Sequence, residues 1–229
     1  ANEDSVIFVA SAGNNGNSSF HIKCDFNNAD TLRSKFEFDY PQSSSEHYWG
    51  QSINMLGDST DAFSARVEIY SKRGELIYKT DDFSTANPTT ASGVHVYNEA
   101  DSVIFRVGCV SGSASSRPRM EWEIRLSNPY SNCNAILIVS SEKGYVHAWN
   151  LASLTTGVGN WGLPFVWQQA GFVRGDDEYS IGEPAIGKGM IAVAAHVSGR
   201  RNGSSNSGLA SFSSGGPNLC EYLKPEVSA

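Results

Sequence analysis

Histidine, cysteine and carboxylate side chains are the groups most able to carry chemistry, and in this 229-residue chain they are scattered. Five histidines, His21, His47, His95, His147 and His196, include no HExxH motif and no pair at metal-ligand spacing beside a cysteine or carboxylate. They read as ordinary strand or surface residues. Cys24, Cys109, Cys133 and Cys220 contain no CxxC, which argues against a zinc ribbon or a thioredoxin-type centre. Three disulfide pairings and a set of buried free thiols all stay open. The acidic run Asp176, Asp177, Glu178 could offer oxygens to Ca²⁺ but suits a solvated loop better. No metal and no cofactor is expected. Trp49, Trp122, Trp149, Trp161 and Trp167, with nine tyrosines, could stack on a sugar. Trp122 lies on an apolar strand face and is expected in the core.

The elements that would position such groups are mostly strands. From residue 20 to 150 the chain runs in short alternating segments separated by turn residues, with hardly a helical period. In MEWEIRLS (120–127) Trp122, Ile124 and Leu126 share one face, while Glu121, Glu123 and Arg125 share the other. FSARVEIYS (63–71) repeats the pattern with Phe63, Ala65, Val67 and Ile69. Other strand-like runs cover 34–40, 48–56, 75–80, 93–98, 102–110, 135–140 and 144–150, nine in all, which predicts a jelly-roll β-sandwich. SKRGEL and SEKGYV place Gly74 and Gly144 where a hairpin needs a positive φ. Residues 151–180 read as a connecting segment.

The two ends have a different texture. SVIFVAS (5–11) is a continuous apolar, β-branched run that predicts a buried parallel strand, and residues 190–195 predict a second. The chain is therefore expected to be mainly β, with a sandwich inserted into a partial α/β core. Its segments are 1–19 and 181–229 for the core, 20–150 for the sandwich and 151–180 between them. A net charge of -7 and a pI near 5.2 repel phosphate backbones, so no nucleic-acid partner is expected. No apolar run approaches the roughly 20 residues that span a bilayer. No signal-peptide pattern precedes the first strand, and the chain is expected to be an internal piece of a longer protein.

Three blocks in order carry a family resemblance. VIFVASAGNNG (6–16) resembles the subtilase segment in which a buried strand ends in Ala-Ala-Gly-Asn. EPAIGKGMIAVAAHVS (183–198) resembles the stretch from a proline into a VIAVGA-type strand. LASFSSGGPN with LKPEVSA (209–229) resembles FSSxGP followed by KPDxxAPG. The chain is thus similar, over its two ends, to the subtilisin-like serine proteases.

That resemblance implies a peptide or protein substrate and acyl-enzyme chemistry, with Asn14 donating its side-chain amide to the oxyanion and Ser11, Ala12 and Gly13 lining the P1 pocket. Ser11 departs from the usual alanine. The family's catalytic Asp, His and Ser would lie outside this chain. The roughly 170 residues between Asn14 and Pro184 resemble the jelly-roll insertion of clostridial spore-germination and Bacteroidetes subtilases. This implies a secreted or cell-envelope protein of bacterial type. The resemblance also implies a cis peptide at Glu183-Pro184. Two alternatives are a catalytically dead regulatory homologue and a sandwich that binds protein or carbohydrate.

Overall fold

Alternating apolar residues fold here into strands that send one face to a shared core. The computed structural model describes residues 6–27, 30–37, 51–58, 61–99, 101–127, 133–150, 164–166, 168–197 and 208–229. His47, Trp49, Trp161 and Trp167 lie outside the described residues, as does the first part of the connecting segment, 151–163. The chain divides into two units, Phe20–Gly175 and a second built from Ala1–Ser19 with Asp176–Ala229. Among the described residues there is no helix, and so none long and apolar enough to cross a membrane.

The Phe20–Gly175 unit contains two antiparallel sheets. The first has six strands: β2 (His21–Asp25), β12 (Tyr145–Asn150), β4 (Gln51–Gly57), β10 (Arg119–Leu126), β9 (Ser102–Val110) and β8 (Thr89–Val96), in that spatial order. The second has β3 (Thr31–Glu37), β11 (Cys133–Ser141), β5 (Phe63–Ser71) and β6 (Leu76–Lys79), with the short β7 (Phe83–Ser84) also on β5. Strand β2 was not foreseen. Its neighbours His21 and Ile22 are both buried, so its sequence shows no hydropathy alternation.

The inward residues of both sheets form one cluster. Phe63, Ala65, Val67 and Ile69 of β5 meet Met120, Trp122, Ile124 and Leu126 of β10 in it. Trp122 is fully buried, edge-on to Phe83 at 5.5 Å, and its indole N–H donates to Met120 Sδ at 3.0 Å. Gly74 and Gly144 have φ of 84° and 74°, as their hairpins require. Residues 164–175 run beside β3, with Val166 N–H donating to Lys35 O and Val173 N–H to Arg33 O. Phe165 thereby reaches the core against Phe36.

In the other unit, β1 (Phe8–Ser11), β13 (Met190–Ala194) and β16 (Val227–Ser228) form a three-stranded parallel sheet. Phe8 pairs with Met190 and Ser11 with Val193, which places the two terminal blocks side by side. A short antiparallel pair, β14 (His196–Val197) and β15 (Gly208–Leu209), lies beyond β13. The expectation that the first apolar run is buried fails. Val6, Ile7, Phe8 and Val9 are 58–73% exposed, and none of them joins a buried cluster among the described residues. Burial begins at Ala12, which packs with Ile181, Ala185 and Ala192 in a small cluster. Glu183-Pro184 is cis, as are Gly216-Pro217 and Lys224-Pro225.

Candidate functional site

Strand β1 delivers its last residues into a loop that is held on both sides. Ala12 N–H donates to Val193 O at 2.9 Å, carrying the ladder one residue past the strand, and Ala12 O accepts Gly182 N–H at 3.2 Å. Gly13 follows with φ of 107°, a conformation that side chains rarely adopt. A Cβ there would sit 2.9 Å from Ser214 Oγ. Glycine is therefore fixed at this position by backbone and by space together.

Ser214 closes the loop from the opposite strand connection. Its N–H donates to Gly13 O at 3.0 Å, and its Oγ accepts Asn15 N–H at 2.9 Å. Gly16 N–H donates to Phe212 O at 2.9 Å, and a Cβ on Gly16 would overlap the Ser213 carbonyl oxygen. Both neighbours of Asn14 are thus tied down. The Asn14 side chain itself is exposed and makes no hydrogen bond among the described residues. A carboxamide presented in this way offers two N–H donors to whatever approaches.

The four residues singled out in the sequence are contiguous here: Ser11 exposed, Ala12 buried, Gly13 half-buried and Asn14 exposed. Beside them, Ser180 and Gly215 are linked three times, Ser180 N–H to Gly215 O at 3.0 Å, Ser180 Oγ–H to the same oxygen at 3.2 Å and Gly215 N–H to Ser180 Oγ at 2.9 Å. His196 is the histidine of this unit. It lies exposed on β14, and its ring makes no hydrogen bond among the described residues. The chemistry available from Asn14 is therefore donation to developing negative charge rather than proton transfer.

A buried lysine supports the sheet beneath this loop. Lys224, its side chain 1% exposed, donates to Met190 O at 2.6 Å and pairs with Glu226 Oε1 at 2.7 Å. Glu226 Oε2 in turn accepts Ala192 N–H at 2.8 Å. These bonds to Lys224 and Ala192 hold the Glu226 carboxyl below its ordinary range. The acidic run is absorbed locally, with Asp177 Oδ1 accepting Ser19 N–H at 2.7 Å and Asp176 Oδ1 accepting Glu178 N–H at 3.0 Å. All four cysteines are free thiols, and burial pushes Cys24 up to about 12.

The Phe20–Gly175 unit holds two features that sequence reading missed. His21 Nε2 and His147 Nδ1 are 2.8 Å apart and both rings are buried; His147 stacks on Trp149 with centroids 5.4 Å apart, and His21 meets the same indole at a tilt, 5.1 Å away. Burial, then the neighbouring charges of His21, Lys23 and Arg117, lowers the His147 pKa to about 3. The two histidines sit 126 positions apart, so no local spacing announces them. On the other sheet, a cleft of about 430 Å³ is lined by Arg33, Glu68, Tyr70, Asn134, Gln168 and Gln169. Burial raises the Glu68 pKa, but the Tyr70 hydroxyl at 2.6 Å and Arg66 at 3.0 Å outweigh it and keep the carboxylate charged.

No family model matches the chain, and no curated protein matches it.

Proposed function

We propose that this chain is part of a subtilisin-like serine endopeptidase, with Asn14 as the oxyanion donor and Ser11, Ala12 and Gly13 as a wall of the substrate cleft. The observation that carries this reading is the exposed Asn14 carboxamide at the end of a parallel strand, with both flanking residues anchored. A donor aimed in advance stabilises a tetrahedral intermediate without reorganising. The catalytic Asp, His and Ser belong to the rest of the enzyme, the 20–150 segment is an inserted jelly roll, and the protein is secreted or in the cell envelope.

Two measurements test it. This chain alone gives no turnover of a fluorogenic peptide, since it lacks the nucleophile and its base. Turnover that survives repurification and scales with this protein overturns the reading. In a longer polypeptide carrying the catalytic triad, Asn14→Ala lowers kcat about 10²- to 10³-fold, a magnitude known from subtilisin itself. An unchanged kcat removes Asn14 from the mechanism.

A second reading concerns the Phe20–Gly175 unit and is favoured by the Arg33–Tyr70 cleft, whose carboxamides and guanidinium suit a polar ligand. It is a binding surface for protein or carbohydrate, and a glycan array probed with this chain tests the carbohydrate form.

A further inference from the structure

We infer that Ser214 is the positioning residue of the Asn14 loop: through Gly13 and Asn15 it sets the direction of the Asn14 carboxamide. Ser214 is 1% exposed, yet its N–H and its hydroxyl oxygen both serve this one loop. Its backbone N–H takes the carbonyl before Asn14, and its hydroxyl oxygen takes the N–H after it, at 3.0 and 2.9 Å. Two fixed points, one on each side of a single residue, leave that residue little freedom but its own side-chain torsions.

The glycine at position 13 is the other half of the device. Any Cβ on Gly13 would meet the Ser214 hydroxyl at 2.9 Å, so the absence of a side chain at 13 is what lets the serine approach. The neighbouring contacts do not duplicate it. Ser213 Oγ accepts Ala195 N–H at 3.0 Å, and Ser180 is engaged with Gly215. Neither of these serines hydrogen-bonds to Gly13 or Asn15; the Ser213 carbonyl lies against Gly16, whose N–H is held by Phe212 O. Removing the Ser214 hydroxyl therefore loosens the C-terminal side of the loop, while the main-chain bond to Gly13 O stays.

This assignment has a structural arm, which stands on the loop alone, and a kinetic arm, which rests on the oxyanion reading of Asn14. In the structural arm, amide hydrogen exchange is followed by NMR in the native chain and in Ser214→Ala. Asn15 N–H is protected in the native protein and exchanges about tenfold faster or more in the variant, while Ala12 N–H, bonded to Val193 O, is unchanged. Fast exchange at Asn15 in the native chain overturns the assignment even if the variant fails to fold.

In the kinetic arm, the triad-bearing polypeptide with Ser214→Ala loses roughly tenfold or more in kcat with KM within about a factor of two, as expected when a donor is misaimed. In an Asn14→Ala background the same change has no further effect, because Ser214 acts through Asn14. Equal losses in both backgrounds overturn the positioning role. If Asn15 exchange responds but Asn14→Ala leaves kcat intact, the loop assignment stands and the protease reading fails.

Discussion

His21 Nε2 lies 2.8 Å from His147 Nδ1, across the paired strands β2 and β12 and away from the shared core. One ring must donate and the other accept, so a single proton holds the contact. A second proton on His147 would place a charge in a buried setting, whichever ring donates, and burial disfavours it.

The sign of the pH effect follows. His147 has a folded pKa of about 3 against about 6.5 for an unperturbed imidazole. The unfolded chain therefore binds the proton first, and stability is full above pH 6.5 and falls as the pH drops towards 3. The loss across that window is on the order of 4 kcal/mol. Urea unfolding at pH 7, 5 and 4 measures it, and His147→Gln flattens the dependence. A native midpoint that does not move between pH 7 and 4 refutes the prediction.

Trp122 fills the centre of the two-sheet core, between Phe83 and Phe105. Trp122→Ala costs about 3–5 kcal/mol, since the cavity cannot close around a side chain contacted from both sheets. Trp122→Phe costs less. Equilibrium unfolding that places the alanine variant within about 0.5 kcal/mol of the native chain, the range of surface changes, shows that Trp122 is not in the core.

Gly13→Ala puts a Cβ against Ser214 Oγ in a backbone region with φ of 107°. The expected loss is about 1–3 kcal/mol from the strained backbone alone. Asn14→Ala, an exposed side chain without a hydrogen bond among the described residues, changes stability by less than about 0.5 kcal/mol. The contrast between adjacent residues, read by thermal unfolding, separates a residue kept for shape from one kept for what it presents.

Lys224→Met removes the charged donor from Met190 O and from Glu226 while keeping the stem's packing. Hydrogen bonds to charged groups contribute about 1.5–3 kcal/mol, and the half-exposed Glu226 regains water, so the lower end is expected. Faster exchange at the amides of β13 accompanies it. Unchanged exchange there shows that Lys224 does not secure the strand.

The strands were legible where one face meets the core and the other meets water. Phe63, Ala65, Val67 and Ile69 alternate strictly, and the structure follows them residue by residue. The same rule misjudged Val6 to Val9. An apolar β-branched run reports that a strand suits burial on both faces, but what covers it depends on distant parts of a chain. Strand β2 was hidden for the opposite reason, because a buried histidine reads as polar. At the candidate site, Asn14 and its glycine were visible in a motif. Ser214, 199 positions from the amide it accepts, is one serine in a run of small residues until the fold brings it there.

The hydrogen bond from Ser19 N–H to Asp177 Oδ1 has a kinetic consequence. It joins the two places where the chain leaves and re-enters the unit of β1 and β13, so the 156 residues from Phe20 to Gly175 depart and return at almost one point. Pairing Ser11 with Val193 in an unfolded chain means closing a loop of 182 positions (193 minus 11). If the intervening unit folds first and brings its ends together, the open path shrinks to about 25 residues, and the closure entropy falls by about 2 kcal/mol. On that route the parallel sheet closes on a tether that the folded Phe20–Gly175 unit has shortened.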